Sequence, residues 1–327
     1  METIDRTQLR QRMNKCGTAR EPFLWAISYD MSKGLLIPHP EERQDVLWQV
    51  GEVGNIGAQT QPRGPVPELH ILEPPSEKEY AGMFAVIREG LMRGDSFLAN
   101  LTCATRVNLT GTLKDVFLHS SAPYRLLIGD EFVCFSPEPF VTIEGQRIST
   151  YPMKGTIDAS LPDAERKLMD DYKETCEHYT IVDLMRNDLG SVAAEVRVDD
   201  FRYVEHIRTS GGEILQTSSK ISGLLPEKML HRYGDILLPM LPAGSITGAP
   251  KAATVALIER AEKAPRGWYT GVFGYFDGQV MRTAVMIRCL QRGSDGALRF
   301  HSGGGVTVNS DAADEYAEMI AKIYLTR

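Results

Sequence analysis

The chain has 327 residues and a formal net charge of −7, with 43% hydrophobic and 24% charged residues. This mix is typical of a folded globular protein rather than a disordered or fibrous one. The negative balance argues against a nucleic-acid-binding protein, which needs a basic face to meet phosphates. A small anionic substrate is still compatible with it, because a few local cations can outweigh the overall charge.

The sequence also carries signals about the cell compartment. It has no apolar run of about 18 residues, the length that a membrane span needs, and its charged N-terminal segment lacks the apolar core of a secretory signal. The cysteines are scattered and form no CxxC pair, so neither a zinc knuckle nor a disulfide framework is predicted. We therefore expect a cytoplasmic protein with no membrane association. The five positions are Cys16, Cys103, Cys134, Cys176 and Cys289.

The first half of the chain predicts hairpins around one long helix. A helix is predicted at Glu77–Arg93, ended by Gly94, and a strand follows at Phe97–Leu109. Each predicted hairpin consists of two apolar runs around a short turn. The hairpins are Phe23–Tyr29 with Leu35–Ile37, then Leu126–Ser136, then Phe140–Thr150. The segment Gly51–Ser76 is rich in Gly and Pro, which predicts an irregular surface segment.

The second half continues the alternation. A long helix is predicted from about Ala164 to Leu189, and a glycine-rich loop precedes a helix at Pro250–Ala264. Tyr269–Phe276 and Gln279–Gln291 are predicted to pair across the turn Asp277-Gly278. The other predicted elements are strands at Val196–Val198, Ile214–Ile221 and Leu298–His301, a short helix near Lys228–Leu238, and a last helix at Asp311–Leu325.

Successive hairpins with inserted helices predict an α+β fold built on antiparallel sheets. No linker rich in Pro or Ser divides the chain, and no internal repeat is present. We therefore predict one domain over residues 1–327.

Two predicted helices carry paired carboxylates. Glu174 and Glu177 are three residues apart, so they share a helix face, and an apolar stretch follows them. Two carboxylates beside a buried stretch could hold a hard cation. Glu315 and Glu318 also share a face, with Lys322 one turn beyond. Taken singly, each helix is better explained by a solvated acidic surface.

Two further segments are candidates for chemistry. Gly303–Gly305 are unfavourable residues for a strand or a helix, and their N–H groups could bind an anion. A flexible turn explains them equally well. Lys154 has no acidic neighbour in sequence. A lysine held away from carboxylates and partly desolvated can act as a nucleophile, although most lysines are surface charges.

Six motifs follow one another along the chain: SPEPF at Ser136–Phe140, PMKGT at Pro152–Thr156, IVDLMRNDLG at Ile181–Gly190, AGSITGAPK at Ala243–Lys251, RGWYTGVFGY at Arg266–Tyr275 and GGGVTVNSDAADEYAE at Gly303–Glu318. In this order they resemble the chorismate-utilising enzymes, the family of aminodeoxychorismate synthase component I, anthranilate synthase, isochorismate synthase and salicylate synthase. The resemblance runs from about Ser76 to the C-terminus, and residues 1–75 resemble a reduced N-terminal region.

This resemblance implies a magnesium-dependent site in the cleft of an α+β sandwich with flanking helices. By the family pattern, Glu177 and Glu318 are metal carboxylates, with Glu174 and Glu315 as supporting carboxylates. Glu138 is the general acid. The residues that resemble substrate contacts are Ser245, Tyr269, Arg288, Gly303, Gly304, Gly305 and Lys322. The acidic faces of the two helices would then converge on one Mg²⁺ ion.

Two positions separate the members of the family. Leu98 occupies the place of the lysine base in the water-adding enzymes, and leucine cannot activate water. Lys154 occupies a place where anthranilate synthases carry a small residue. The resemblance therefore implies amination of chorismate to 4-amino-4-deoxychorismate, which leads to 4-aminobenzoate and folate. In that reaction Lys154 attacks ring carbon C2, Glu138 protonates the departing C4 hydroxyl, and ammonia then adds at C4.

The resemblance also implies a partner, because no glutamine amidotransferase motif is visible in the sequence. We expect ammonia from a separate glutaminase subunit. Gln216 stands where a histidine is usual, and because glutamine cannot titrate, this disfavours pyruvate elimination. The alternatives are an anthranilate-type synthase and an inactive chorismate-binding partner subunit. The intact set Glu138, Lys154, Glu177, Arg288 and Glu318 argues against inactivity.

Overall fold

A computed structural model describes residues 2–57, 62, 64–209 and 212–325. The α-helices in these ranges are α1 (Arg6–Ala19), α2 (Glu77–Arg93), α3 (Leu113–His119), α4 (Ala164–Asp170), α5 (Tyr172–Gly190), α6 (Tyr233–Leu237), α7 (Lys251–Ala261) and α8 (Ala312–Ala321). None of the described helices is long and apolar enough to cross a membrane.

The strands of the same ranges belong to two antiparallel sheets. They are β1 (Phe23–Ile27), β2 (Gly34–Pro38), β3 (Val46–Val50), β4 (Val53–Gly54), β5 (Leu69–Glu73), β6 (Leu98–Leu109), β7 (Tyr124–Ile128), β8 (Phe132–Ser136), β9 (Pro139–Glu144), β10 (Arg147–Thr150), β11 (Met153–Asp158), β12 (Ala194–Thr209), β13 (Gly212–Leu224), β14 (Gly248–Ala249), β15 (Val272–Phe276), β16 (Val280–Val285), β17 (Cys289–Arg292) and β18 (Leu298–Val306).

The first sheet has the order β11-β13-β10-β9-β16-β15-β1-β2, with β12 beside β13. The second has the order β14-β6-β18-β17-β8-β7-β3-β4, with β5 beside β6. The inner faces of the two sheets share one apolar core. Trp48 of the second sheet and Tyr275 of the first meet there, with ring centroids 4.3 Å apart. This confirms the predicted α+β fold of antiparallel sheets packed as a sandwich.

Helices cover the outer faces. Residues of α1, α5 and α6 pack on the first sheet in one apolar cluster. Residues of α2, α7 and α8 pack on β6 and β18 of the second sheet in another. Burial of both faces of each sheet removes most of its apolar surface from water, which is the main stabilising term of such a fold. Helices α5 and α8 therefore approach the sandwich from opposite sides.

The prediction of one long helix from Ala164 to Leu189 is wrong in one respect, because the segment forms two helices, α4 and α5. Helix α4 ends at Asp170, and Asp171 has an extended backbone, with φ −65° and ψ 114°. The Asp171 side chain accepts a hydrogen bond from the Glu174 N–H at 2.9 Å. An aspartate in this role starts a helix, so Glu174 and Glu177 lie in the first two turns of α5 rather than at its middle.

The strand predicted at Gln279–Gln291 is also interrupted. Strand β16 ends at Val285 in the first sheet, and β17 begins at Cys289 in the second sheet. The connection between them therefore crosses from one sheet to the other. Arg288 lies in this crossover with φ 53°, a left-handed conformation that is unusual for a residue with a Cβ atom.

A flexible turn, one of the two explanations that the sequence left open for Gly303–Gly305, is wrong. These residues continue β18 and pair with β6, Gly303 opposite Thr102 and Gly305 opposite Asn100. Sheet pairing outweighs the weak strand preference of glycine here, because β6 supplies hydrogen-bond partners along its length. The glycines are therefore a part of the second sheet that carries almost no side-chain bulk.

The N-terminal region is more ordered than predicted. The sequence did not predict helix α1 or strand β3. Strands β4 and β5 lie inside the segment 51–76, which was predicted to be irregular. Residues 58–61 and 63 of this segment lie outside the described ranges. Strands β1 and β2 belong to the first sheet, and β3 and β4 belong to the second. Residues before position 76 thus contribute strands to both sheets.

Candidate active site

A cleft with a volume of about 350 Å³ opens where the two sheets meet. Its wall includes Lys154 of β11 and Gln216 of β13 from the first sheet, and Leu98 of β6 from the second. The predicted substrate and catalytic residues that line it are Glu138, Lys154, Gln216, Ser245, Tyr269, Arg288, Gly303, Gly304, Gly305 and Lys322. Segments separated by up to 224 positions in sequence, from Leu98 to Lys322, therefore contribute to one cavity.

Lys154 reaches the cleft from an irregular part of β11. The pairing of β11 with β13 shifts register between Lys154 and Thr156, and Gly155 there has φ 77°. A Cβ atom on Gly155 would lie 3.0 Å from Glu174 Oε2. A glycine in a left-handed conformation is thus required between Lys154 and α5, and the bulge directs the lysine side chain.

The sequence expectation that Lys154 is held away from carboxylates is wrong. Its Nζ atom lies 2.9 Å from Glu177 Oε2 of α5. Burial alone would lower the pKa of Lys154, but Glu177, followed by Glu174 and Glu318, outweighs burial and raises this pKa. In this arrangement Lys154 is a charged partner of the acidic residues rather than a free amine.

Helix α8 brings a second acidic pair close to Gly304 of the cleft wall, although none of the four predicted metal glutamates, Glu174, Glu177, Glu315 and Glu318, lines the cleft itself. Lys322 Nζ lies 2.6 Å from Glu318 Oε1 and donates to the Gly303 carbonyl at 2.9 Å. A Cβ atom on Gly304 would lie 3.1 Å from Glu315 Oε2 and 3.6 Å from Lys322 Nζ. The absence of a side chain at Gly304 therefore lets the charged face of α8 approach the strand closely.

The four glutamates carry crowded negative charge. Burial and then the neighbouring Glu177 raise the pKa of Glu174. Burial raises the pKa of Glu315, and Glu318 adds to this, while Ser310 opposes it. Burial also acts to raise the pKa of Glu318, but the Lys322 ammonium outweighs it and lowers this pKa. A further cation near Glu174 and Glu315 would relieve the repulsion.

Carboxylate oxygens are the ligands that a hard cation such as Mg²⁺ takes, so the chemistry of these donors fits that ion. Their present arrangement does not yet form a closed cage. Within residues 2–57, 62, 64–209 and 212–325, no three His, Cys, Asp or Glu side chains are grouped closely enough to hold a metal ion. Lys154 and Lys322 each neutralise one carboxylate, one from each helix.

Glu138 lies between β8 and β9, with its N–H bound to Ser136 Oγ at 3.1 Å. Its carbonyl accepts from the Val285 N–H at 3.2 Å, which ties it to β16. Burial raises the pKa of the Glu138 carboxyl, and the Ser245 hydroxyl and Lys154 charge only partly offset this. A carboxyl whose pKa is raised keeps its proton to higher pH, as a general acid must.

Arg288 is held at the crossover by both of its ends. Its carbonyl accepts from the Phe135 N–H at 3.1 Å. Its Nη1 donates to the Lys322 carbonyl at 2.9 Å, and its guanidinium lies 4.6 Å from the centroid of the Tyr324 ring. The crossover and the end of α8 thus fix one cation of the cleft, whose wall also includes Lys322.

Sequence reasoning missed His301 as a cleft residue. The His301 ring lies beside Tyr269, with ring centroids 5.1 Å apart and planes 32° apart. Burial, followed by the charges of Arg266 and Arg299, lowers the pKa of His301 to about 4, so the ring is neutral near pH 7. Its place two residues before Gly303 was the available signal. Other polar cleft residues that received no role include Asn100, Thr247 and Thr270.

Three relatives with similar sequences show where this chain belongs. An uncharacterized PabA-like protein of Pasteurella multocida is 48% identical over 96% of this chain and 97% of its own length. A second PabA-like protein, of Haemophilus influenzae, is 45% identical over 96% of this chain and 95% of its own length. The aminodeoxychorismate synthase component 1 of Escherichia coli is 32% identical over 76% of this chain and 56% of its own length.

Two solved structures share the fold. The anthranilate synthase component I of Streptococcus pneumoniae superposes with a TM-score of 0.63 at 25% identity, over 79% of this chain and 59% of that one. The menaquinone-specific isochorismate synthase of Escherichia coli superposes with a TM-score of 0.72 at 17% identity, over 98% of this chain and 82% of that one. Residues 32–326 match the model of the chorismate binding enzymes, and the chain belongs to this family.

Proposed function

We propose that the chain is the chorismate-aminating component of an aminodeoxychorismate synthase, which converts chorismate and ammonia to 4-amino-4-deoxychorismate. One observation carries the proposal. Lys154 and Glu138 line the same cleft, while Leu98 in its wall offers no base for water. A nucleophile and an acid side by side suit a displacement in two steps. The Escherichia coli relative bears this activity in its name.

The first step forms a bond from Lys154 Nζ to ring carbon C2. Both ring double bonds shift, through C1, C6 and C5 toward C4, the C4–O bond breaks, and the departing oxygen takes the Glu138 proton and leaves as water. In the second step the nitrogen of ammonia bonds to C4, both double bonds return to their places, the bond from C2 to Lys154 breaks with its electrons on nitrogen, and the new C4 ammonium returns a proton to Glu138. The net change replaces a hydroxyl by an amino group and releases water. Attack requires that the ion pair of Lys154 with Glu177 opens first.

We assign the substrate carboxylates to the cationic end of the cleft. Arg288 and Lys322 lie together there, and charge-assisted hydrogen bonds to carboxylates are strong. Among the described strands, β17 pairs with β18 only as far as His301, whereas β6 pairs as far as Val306. Strand β17 therefore leaves the edge of β18 at Gly303–Gly305 uncovered, and we assign a substrate carboxylate to backbone N–H groups of this edge, with Tyr269 in the same cleft; the Gly303 carbonyl is taken by Lys322.

We place Mg²⁺ between α5 and α8, held by Glu177 and Glu318 and supported by Glu174 and Glu315. When bound, the ion neutralises a substrate carboxylate that would otherwise meet four negative charges. The crowding that raises the pKa of Glu174 and Glu315 supports a cation at this place.

A separate subunit supplies the ammonia in this proposal. The Escherichia coli relative is named as component 1 of its enzyme, which supports a second component. A glutaminase would release ammonia from glutamine, and this chain would use it. Folate and 4-aminobenzoate synthesis would then consume the product.

An anthranilate-type reaction is the second candidate. An anthranilate synthase component 1 of Haloarcula marismortui is 34% identical over 76% of this chain and 52% of its own length. That reaction also eliminates pyruvate and yields an aromatic product. Gln216, which lines the cleft, cannot titrate, and we therefore favour amination without elimination.

The product decides between the two candidates. The purified chain is incubated with chorismate, magnesium and ammonium, and the product is identified by mass and fluorescence. We expect a non-aromatic amine that retains the enolpyruvyl group, formed with ammonium but not with glutamine alone. A fluorescent aromatic acid with release of pyruvate would overturn the proposal in favour of the anthranilate reaction. Chorismate left unconsumed under every condition would support an inactive partner subunit.

Replacing Glu318 with glutamine should raise the magnesium concentration needed for half-maximal turnover, by on the order of 10-fold or more, because a neutral amide replaces an anionic ligand. The rate is measured against magnesium at saturating chorismate. Asp314→Asn on the same helix is the control, since Asp314 is exposed and does not line the cleft. Wild-type magnesium dependence in Glu318→Gln would remove Glu318 from the metal site.

A further inference from the structure

Arg266 lies between α7 and β15, and its side chain is only 2% exposed. A buried guanidinium must be paired and hydrogen-bonded, because desolvation of an isolated charge is costly. Glu262 supplies the pairing. Arg266 Nε lies 2.8 Å from Glu262 Oε2, and Nη2 lies 2.6 Å from Glu262 Oε1. This bidentate geometry fixes the plane of the guanidinium.

The remaining donors of Arg266 bind three different segments. Nη2 donates to the Asn100 carbonyl on β6 at 2.6 Å. Nη1 donates to the Ile246 carbonyl at 3.0 Å and to Thr270 Oγ1 at 3.3 Å. All three of these partner residues line the cleft, whereas Arg266 does not. One guanidinium that lies outside the cleft thus connects three separate parts of the cleft wall.

Glu262 extends the connection along β6. Its Oε1 accepts from both the N–H and the hydroxyl of Thr102, each at 2.9 Å. Strand β14 pairs with β6 at Leu98 and Ala99, and β5 pairs with it from Arg106 onward. The Glu262 carboxylate therefore occupies an edge of β6 that neither strand covers, and it satisfies a backbone donor there.

We propose that Arg266 is a positioning residue of the chorismate cleft, which holds β6, the segment of Ser245 and Ile246, and the segment of Tyr269 and Thr270 in register. The proposal rests on the proposed chorismate chemistry. A planar fork of fixed donors suits this role, whereas a lysine ammonium offers a single point of attachment. Displacement of reacting groups by about 1 Å can cost on the order of 10²-fold in rate.

A second cavity offers a direct test. Arg266 and Glu262 line a cavity of about 280 Å³ that also contacts Thr102 and opens beside Glu73 and Glu79. Removal of the Arg266 side chain would therefore leave a site that a free guanidinium ion can reach from solvent. Restored activity would show that the guanidinium acts where it stands, and not through the folding of the chain alone.

The experiment compares Arg266→Lys and Arg266→Ala with Arg125→Lys. Arg125 is a matched control, because it is also buried and donates to the Phe117 carbonyl at 2.9 Å and to Ser120, but lies outside the cleft. Chorismate binding with magnesium, kcat and KM for chorismate consumption, and the melting temperature are measured for each. Arg266→Ala is assayed with and without millimolar guanidinium.

We expect Arg266→Lys to lose on the order of 10²-fold in kcat/KM while Arg125→Lys stays within about twofold of wild type at a comparable loss of melting temperature. Guanidinium should raise the kcat/KM of Arg266→Ala. A wild-type kcat/KM in Arg266→Lys would overturn the inference. So would equal losses of kcat/KM in Arg266→Lys and Arg125→Lys at the same loss of melting temperature. If Arg266→Ala does not fold, Arg266→Lys alone decides. A wild-type chain that consumes no chorismate would refute the proposed function instead.

Discussion

Replacing Lys154 with alanine is expected to lower the amination of chorismate by on the order of 10³-fold or more, the scale of loss when a covalent nucleophile is removed. Among the described residues, Lys322 is the other lysine that lines the cleft, and it is held by two partners, Glu318 and the Gly303 carbonyl, whereas Lys154 has the one ion pair with Glu177 to break. Product formation with ammonium is the measurement. Lys220→Ala, on the neighbouring strand β13 but outside the cleft, should keep the wild-type rate.

Binding should survive the same change. The substrate carboxylates are assigned to Arg288 and Lys322, and neither contact depends on the Lys154 amine. Removal of Lys154 also frees Glu177 from its ion pair, which leaves a metal carboxylate available. Calorimetric titration with chorismate and magnesium should thus give a similar dissociation constant for Lys154→Ala. Arg288→Ala should show the reverse pattern, a loss concentrated in binding.

The wild-type chain supplies a direct readout of the nucleophile. Chorismate and magnesium without ammonia should leave a covalent adduct on Lys154, since the second step then has no incoming nitrogen. Intact-protein mass and peptide mapping detect it. An adduct on another residue, or unimpaired amination by Lys154→Ala, would refute the nucleophile and return the isochorismate and anthranilate reactions to contention.

Local signals in the sequence predicted much of the fold. Helix α2 runs from Glu77 to Arg93 as predicted, because Ser76 and Glu79 cap its start and Gly94 ends it in a left-handed conformation. The hairpin of β15 and β16 forms around Asp277, whose carboxylate accepts from the N–H groups of Gln279 and Val280. Each of these features depends on residues within a few positions of one another, so a single sequence contains them.

Features that depend on distant partners were not predictable in the same way. Lys154 was expected to be remote from carboxylates because its sequence neighbours are neutral, yet Glu177 reaches it from a helix 23 positions further along the chain. The sequence of Gly303–Gly305 is also compatible with a turn, and the pairing with β6, which is remote in sequence, is what makes it a strand. Arg266 stood inside a family motif without a role, because Asn100 and Ile246 are remote in sequence. The family resemblance gathered the cleft residues, but it could not supply their hydrogen bonds.

The second large effect concerns Glu138 and pH. The proposed first step needs a protonated Glu138 and a neutral Lys154 at the same time. Burial raises the pKa of Glu138 above the ordinary range of a glutamate. The pKa of Lys154 is also raised, because the Glu177 charge outweighs burial. The ordinary pKa of a glutamate lies about six units below that of a lysine, so the acid titrates before the amine, and between the two pKa values only a small fraction of the free enzyme has both groups in the required form.

The order of the two pKa values determines whether kcat/KM rises or falls with pH. Between the two pKa values, each unit of rising pH lowers protonated Glu138 about tenfold and raises neutral Lys154 about tenfold, so kcat/KM of the wild type should be level in this interval. Glu138→Gln removes only the first dependence, since an amide does not titrate. Its kcat/KM should be lower by on the order of 10²-fold or more near neutral pH, and should rise with pH across the same window.

The measurement is kcat/KM against pH at saturating magnesium, because metal binding to carboxylates is itself pH-dependent. Glu144→Gln on β9 is the control, since Glu144 is exposed and lies outside the cleft; it should reproduce the level wild-type profile. A profile of Glu138→Gln that runs parallel to the wild type would show that Glu138 does not donate the proton. A rising profile in Glu138→Gln beside a level wild type requires both a titrating acid at Glu138 and a titrating base elsewhere in the cleft. If Lys154 is that base, adding Lys154→Ala to Glu138→Gln abolishes the rise.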